Sequence, residues 1–288
     1  MKQQLRIGIA ALAISTLGLA GCSAQSSDPI VIGSQAYYSN EIVAEAYAQA
    51  LEAAGYSVER SFSLGQRDVY VPAILEGEVD LFPEYTGNLL QYFNPAASET
   101  EAGAVYQALV AALPAGLSAL AMSPATDQDS YNVTQEFAAA NNLSSITDLA
   151  NLGSVTLGGA PELAERPYGP QGLLSVYGVS VEFLATGDTT VESLLAGEID
   201  MANVYSADPR INLLGLVTLS DPEGLFLASN LVPIASEALD QGARDAVNAV
   251  SSAMSADELV AMNVRSVEEQ LSAAEIAADW LRSEGLID

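Results

Sequence analysis

Histidine is missing from all 288 residues, and with it go the Ser-His-Asp triad, the Cys-His pair and every imidazole-ligated metal site. Cysteine occurs once, at Cys22, so no intramolecular disulfide can form and the fold has to be held by buried apolar surface. Positive charge is scarce as well: nine lysines and arginines face 37 aspartates and glutamates, a formal net charge of −28. A chain this acidic repels phosphate backbones, which excludes nucleic acid as a partner. Its field favours solubility and mildly concentrates cations, although salt screens it beyond about 10 Å at 0.1 M. Enzyme chemistry would have to rest on carboxylates, as in glycoside hydrolysis, and nothing singles out a working pair among the 37. The cluster Asp127-Gln128-Asp129 hints at calcium but lacks the glycine and the late glutamate of a helix–loop–helix calcium site. Neither a metal nor a cofactor is expected.

Long apolar runs are also few. Residues 7–19 form one behind Lys2 and Arg6, too short to span a bilayer comfortably, and residues 1–21 read as an export signal. The run closes on Leu19-Ala20-Gly21-Cys22, which resembles the lipobox of bacterial lipoproteins. That resemblance implies a lipid on Cys22, an anchor on the outer side of the cell membrane and a linker over 22–29. A second apolar stretch, 104–122, is interrupted by Tyr106, Gln107 and Pro114-Ala115-Gly116 and reads as a helix followed by a buried strand. Two of the nine basic residues, Lys2 and Arg6, belong to the leader, leaving seven arginines. The remaining chain exceeds the usual size of one domain, so two lobes are expected.

What the chain does contain is a sentence written twice. Residues 76–88 read EGEVDLFPEYTGN and residues 196–208 read AGEIDMANVYSAD. Each runs Gly, Glu, aliphatic, Asp, and each places a tyrosine eight positions after the glycine. Around both copies, strand-like segments (PIVIGS, SVERSFSL and VDLF; then 154–160, 179–185 and 199–204) alternate with helical spacing. That alternation predicts an α/β fold of two parallel sheets with covering helices, one per lobe. Gly77 and Gly197 fall where a helix needs a left-handed cap, and Tyr85 and Tyr205 fall just past the end of the next strand. Open α/β sheets bind ligands at the carboxyl ends of their strands, so two facing lobes put a tyrosine on each wall of a cleft. The lobes are expected over 30–124 with 229–288, and over 125–228, with hinge crossings near 123–127 and 220–229. The tail after Pro233 reads as helices opened by the capping boxes Ser255–Glu258 and Ser272–Glu275, with Trp280 packed in a core.

Tyrosine is the distinctive resource: 12 occur, among them Tyr85, Tyr131, Tyr168 and Tyr205 in loop-like contexts. A tyrosine face attracts a cation without burying a charge, each desolvated contact being worth up to about 2 kcal/mol. A cage of carboxylates carries a heavy desolvation cost instead. A ring cage therefore suits a weakly hydrated quaternary ammonium. Arg166, one of the seven arginines, sits in a Pro-Gly loop, and its planar fork fits a carboxylate; pairing with Glu162 or Glu165 is the plain alternative.

The stretches Ile32-Gly33-Ser34-Gln35, PEYTGN, TDQDSYNV, GGAPELAERPYG and NVYSADPRI, in this order, resemble the substrate-binding lipoproteins of ABC importers for glycine betaine, choline, carnitine and related osmoprotectants. The resemblance implies a two-lobed fold of the type II periplasmic-binding-protein class, with a central ligand cleft and a hinge. It also implies an extracytoplasmic location, a membrane-bound permease with its ATPase as partners, and no catalysis. Matched motif by motif, it places a trimethylammonium cage on Tyr85, Tyr131 and Tyr205, with the backbone of Asp129 beside it and Arg166 on the carboxylate. Three positions depart from the family pattern: Gln35 stands for a lysine, Asn88 for a threonine and Ser229 for a fourth cage tyrosine. Tyr37, Tyr168 or Phe226 would then supply the missing wall. The same fold with an amino acid or polyamine as solute, and a carboxylate-based cell-surface hydrolase, stand as alternatives.

Overall fold

Ten strands make two sheets of five in the computed structural model, which describes residues 28–288; the leader 1–21 and Cys22 lie outside the described residues. In chain order the strands are β1 (Ile30–Gly33), β2 (Val58–Ser61), β3 (Leu81–Tyr85), β4 (Leu117–Ala119), β5 (Asp129–Val133), β6 (Val155–Gly159), β7 (Val181–Ala185), β8 (Met201–Tyr205), β9 (Val217–Thr218) and β10 (Leu231–Ser236). The first sheet is ordered β2-β1-β3-β10-β4 and the second β7-β6-β8-β5-β9. The two orders match position by position. Among the described residues no helix is long and apolar enough to cross a membrane.

The expectation of purely parallel sheets needs correction. Strands β1, β2 and β3 run parallel, as do β6, β7 and β8, but β10 and β5 are antiparallel to their neighbours. The reason lies in how the chain arrives. Both β5 and β10 come straight from the other lobe without a covering helix, so each starts where its parallel neighbour ends: Asp129 pairs with Tyr205, and Leu231 with Tyr85. The two arriving segments also pair with each other. Thr126 bridges Asn230, Asp127 N donates to Ser229 O at 3.1 Å, and Leu231 N donates to Ala125 O at 2.9 Å. This short antiparallel ladder joins the lobes.

The duplicated motif does the same work in both sheets. Gly77 and Gly197 have φ of +78° and +73°, the left-handed cap that a side chain strains to adopt. The aspartate that follows then pins its strand to the neighbour. Asp80 N donates to Val31 O at 2.8 Å while its carboxylate accepts from Val31 N at 3.0 Å; Asp200 does the same with Thr156 at 3.0 and 2.8 Å.

Apolar faces close the layers. Helix Tyr38–Ala53 and the C-terminal helices Gln241–Ala253, Ala256–Val267 and Ala273–Ser283 share one core with β1 and β3, including Tyr47, Leu51, Val247, Leu259, Ile276 and Trp280. Both predicted capping boxes are present. The opposite face packs helices Arg67–Leu75, Thr86–Phe93 and Ala102–Ala112 through Tyr70, Phe82, Leu90 and Leu109.

One buried ion pair locks this second layer to β3. Arg67 (5% exposed) grips Glu84 (0%) with two bonds, Nε to Oε1 at 2.7 Å and Nη2 to Oε2 at 2.8 Å. The Tyr70 hydroxyl and Tyr85 N donate to the same carboxylate. Removing one partner strands the other charge in a dry interior. Arg67→Ala is expected to cost about 3–5 kcal/mol of unfolding free energy, read as a lowered urea midpoint; a midpoint equal to wild type would mean that Glu84 finds another partner.

Candidate functional site

The carboxyl end of β8 lines a cavity of about 710 Å³ between the lobes. Tyr37, Tyr38 and Ser39 enter it from the start of helix Tyr38–Ala53, Asn263 from helix Ala256–Val267, and Glu162, Tyr205 and Asp208 from the second lobe. Tyr37 and Tyr205 stack across the gap with ring centroids 5.7 Å apart and planes inclined by 23°. Tyr205, 38% exposed, presents free ring surface to the cavity. Tyr85 sits behind this pair, 3% exposed in the first-lobe core. Its hydroxyl lies near those of Tyr37 and Ser39, and no described residue meets hydrogen-bond geometry with it. Burial, followed by Asp127, raises its pKa, so the phenol is neutral. The expectation of a motif tyrosine on each wall is therefore corrected: Tyr205 lines the cavity, whereas Tyr85 is buried behind Tyr37, which takes the wall position facing Tyr205.

The remaining aromatic candidates form a second group. Tyr131 is fully buried in the second-lobe core; its hydroxyl donates to the Tyr168 carbonyl, and its ring meets Phe226 edge-on at 5.1 Å. Tyr168 packs on Phe226 at 5.5 Å. Neither Tyr131 nor Tyr168 lines the large cavity. Position along the strand is the cause: Asp129 and Tyr131 share one face of β5, but Tyr131 lies two residues deeper, where Tyr168 and Phe226 cover it.

Between the two groups runs a polar seam. Asn88 Nδ2 donates to Asp129 Oδ2 at 2.7 Å and to the Tyr168 hydroxyl at 3.1 Å, and the buried Ser229 hydroxyl donates to Asn88 Oδ1. Asn88 and Ser229, which replace the resembled family's threonine and tyrosine, therefore bond to each other and tie helix Thr86–Phe93 to the second lobe. Arg166 lies beyond the seam in its own pocket of about 190 Å³, with Gln91, Tyr92 and Tyr168, and makes no ion pair among the described residues. Gln35 is buried with its backbone N on Asn40 Oδ1 at 2.8 Å and does not line the cavity. The PEYTGN glycine has a steric reason: a Cβ on Gly87 would stand 2.7 Å from Ala228 O on the arriving segment.

Residues 28–283 match the family described as the substrate-binding domain of ABC-type glycine betaine transport systems. The chain belongs to this family. It is 29% identical over 282 residues to the glycine betaine-binding protein YehZ of Escherichia coli, covering 91% of this chain and 92% of that one. The solved structure of apo YehZ superposes with a TM-score of 0.66 at 27% identity, over 90% of this chain and all of that one. A crystal structure described as a glycine betaine/carnitine/choline ABC transporter shares the fold at a TM-score of 0.73 and 18% identity, over 90% of this chain and 100% of that one. The two-lobed type II architecture implied by the sequence motifs is the observed one, and the family is one of transport substrate-binding domains rather than of enzymes.

Within this substrate-binding domain, sequence reasoning passed over several residues that line the cleft: Tyr38, Ser39, Asn263, and Asp127 in any role but calcium. Asn263 comes from the C-terminal helices, and no local signal marks it; it reaches the second lobe by donating to Ala207 O at 2.9 Å. Asp127, on the first arriving segment, was legible only as one half of an acidic pair. It is 3% exposed and accepts from Ala207 N at 2.9 Å. Burial, and then the neighbouring Asp129 and Asp208, push its pKa up from 3.8 to about 7, against the downward pull of the Ala207 bond. Asp129 is raised too, by burial, although Asn88, Tyr168 and Asn203 hold it down. The cleft's one basic residue, Arg210, is consumed by Asp208 (Nη2 to Oδ2 2.7 Å) and Glu192 (3.4 Å).

Between pH 4 and 7 the folded chain keeps a proton on Asp127 that the unfolded chain has released. Its contribution to stability is therefore fully present below pH 4 and is lost as pH rises through about 7. The loss is on the order of 4 kcal/mol. Asp127→Asn keeps the shape and removes the charge. Urea unfolding of the ligand-free chain is expected to show the variant more stable than wild type at pH 8, with a smaller gain at pH 5; equal midpoints at both would mean that Asp127 is not held in a desolvated state.

Proposed function

We propose that this chain is the extracytoplasmic solute receptor of an ABC importer and that it captures a quaternary ammonium solute between the lobe built from 30–124 with 229–288 and the lobe built from 125–228. The stacked Tyr37–Tyr205 pair facing an acid-lined cavity carries this reading. Ring faces supply negative potential to a cation too weakly hydrated to repay a carboxylate's desolvation. Tyr85 backs the pair, and Asn88, Asp129 and Tyr168 form the seam where the lobes meet. Family membership and the glycine betaine named for the Escherichia coli relative support the solute class. Closure follows from contacts to both walls, since a ligand shifts an open–closed balance only by its difference in affinity for the two states. A permease and its ATPase receive the solute, and lipidated Cys22 keeps the receptor at the membrane.

Calorimetry with choline and glycine betaine tests the cleft. Tyr37→Ala and Tyr205→Ala are each expected to weaken binding up to about 30-fold, the equivalent of about 2 kcal/mol, while Tyr205→Phe retains most of it. Wild-type affinity in both alanine variants would remove the ring wall from the site. Anchoring is tested separately: Cys22→Ser should move the protein from the membrane to the soluble fraction of cells, and persistence in the membrane would exclude the lipid.

A further inference from the structure

We propose that the cleft selects an organic cation that has no carboxylate but carries a hydrogen-bond donor, the choline class rather than the betaine class, and that Asp127 sets this preference. The inference rests on the cleft reading above and adds to it the sign of charge that the site accepts. A zwitterion's carboxylate is held best by a cation, and the cavity offers no free one. Its single guanidinium, Arg210, is bound on both sides by Asp208 and Glu192. Arg67 is spent on Glu84, and Arg166 opens into a different pocket beyond the Asn88–Asp129 seam.

Beside neutral hydroxyls, what the cavity offers is carboxylates. Asp127 lines it; one oxygen accepts from Ala207 N, and among the described residues nothing donates to the other. Two buried polar atoms at the same wall, the Ser39 hydroxyl and Asn263 Oδ1, are unpartnered among the described residues, on residues 2% and 1% exposed. Buried polar atoms left open in this way are costly unless a ligand fills them. The carboxylates do not converge as ligands of an inorganic ion: among the described residues no group of three or more acidic, histidine or cysteine side chains could hold a metal. A ring pair beside an open carboxylate suits a soft cation with a hydroxyl on a short arm, ammonium against the rings and hydroxyl donating to Asp127.

The groups facing Asp127 give the preference a pH dependence. Tyr37 and Tyr38 from the first helix and Tyr85 from β3 are phenols whose pKa is raised, first by burial, and Tyr205 from β8, 38% exposed, is raised by the enclosure of the cleft and by Asp129, so all stay neutral. The charged neighbours are Asp129 of β5 and Asp208 of the loop after β8, and both favour protonation of Asp127. A bound cation favours its ionised form. With a pKa of about 7, only about a tenth of the ligand-free sites are ionised one unit lower, which divides the apparent affinity by about ten.

Calorimetry on the full chain with choline and glycine betaine, at pH 6 and pH 8.5, in wild type and Asp127→Asn, tests this. Wild type is expected to bind choline at least about tenfold more tightly than glycine betaine at pH 8.5 and to lose about tenfold of its choline affinity at pH 6. Asp127→Asn should remove that pH dependence and narrow the choline-to-betaine ratio. Glycine betaine bound by wild type as tightly as choline at pH 8.5, or a choline affinity independent of pH, overturns the assignment and leaves the quaternary-ammonium reading standing. Failure of both solutes to bind overturns the two together. The wild-type ratio and pH profile decide the matter even if the variant misfolds.

Discussion

Asp127 stands where both arriving segments, the loop after β8 and the start of the first helix come together, and among the described residues its carboxylate accepts one hydrogen bond, from Ala207 N. A carboxylate there, with two further aspartates close by and no cation to spare, leaves the folded ligand-free chain under electrostatic load. Most proteins relieve such a load with a lysine or arginine. Of the seven arginines after the leader, five are paired with acids, Arg60 with Glu45 and Glu52, Arg67 with Glu84, Arg210 with Asp208 and Glu192, Arg265 and Arg282 with Asp279, and Arg166 and Arg244 do not line the cavity. The cleft keeps its negative potential because the scarce positive charge is tied up around it.

The architecture delivers that carboxylate to the aromatic wall. A chain that crosses between lobes enters each sheet at the edge where the parallel strands end, so β5 and β10 begin at the cleft and run away from it. The residues just before them, Asp127 and Ser229, consequently lie beside Tyr205 and Tyr85. Lobe motion and ligand contact share this segment: the ladder joining Asp127, Thr126, Ser229 and Asn230 has to flex if the lobes open. Thr86 and Gly87 hold the first lobe against it, Thr86 by accepting from Asn230 N at 3.0 Å and Gly87 by letting the Ala228 carbonyl approach. Of PEYTGN, then, Glu84 anchors a layer, Tyr85 backs the cleft, Thr86 and Gly87 seat the crossing, and Asn88 spans the lobes.

The duplicated motif was readable because each of its residues has a local job: a left-handed glycine cap, an aspartate that clips one strand to the next, a tyrosine at the strand end. Local rules of this kind survive any tertiary context. The direction of β5 and β10 was not readable, since strand polarity depends on which lobe the chain comes from. Tyr131 shows the same limit. Its motif and its face on β5 match those of a cleft residue, and only the packing of Tyr168 and Phe226 over it puts it inside. Tyr37 was legible as an aromatic near a strand end, but its partnership with Tyr205 spans 168 positions and appears only in three dimensions. Arg166 carries the right chemistry in a neighbouring pocket, on the far side of an asparagine–aspartate contact that spacing cannot reveal.

Location of the bound cation is the most direct check on this account. A crystal structure of the chain with choline, grown near pH 8, is expected to place the quaternary nitrogen within about 6 Å of the Tyr205 ring centroid, with the hydroxyl on the open oxygen of Asp127. A nitrogen found in the Arg166 pocket, or outside the cavity between the lobes, would contradict it.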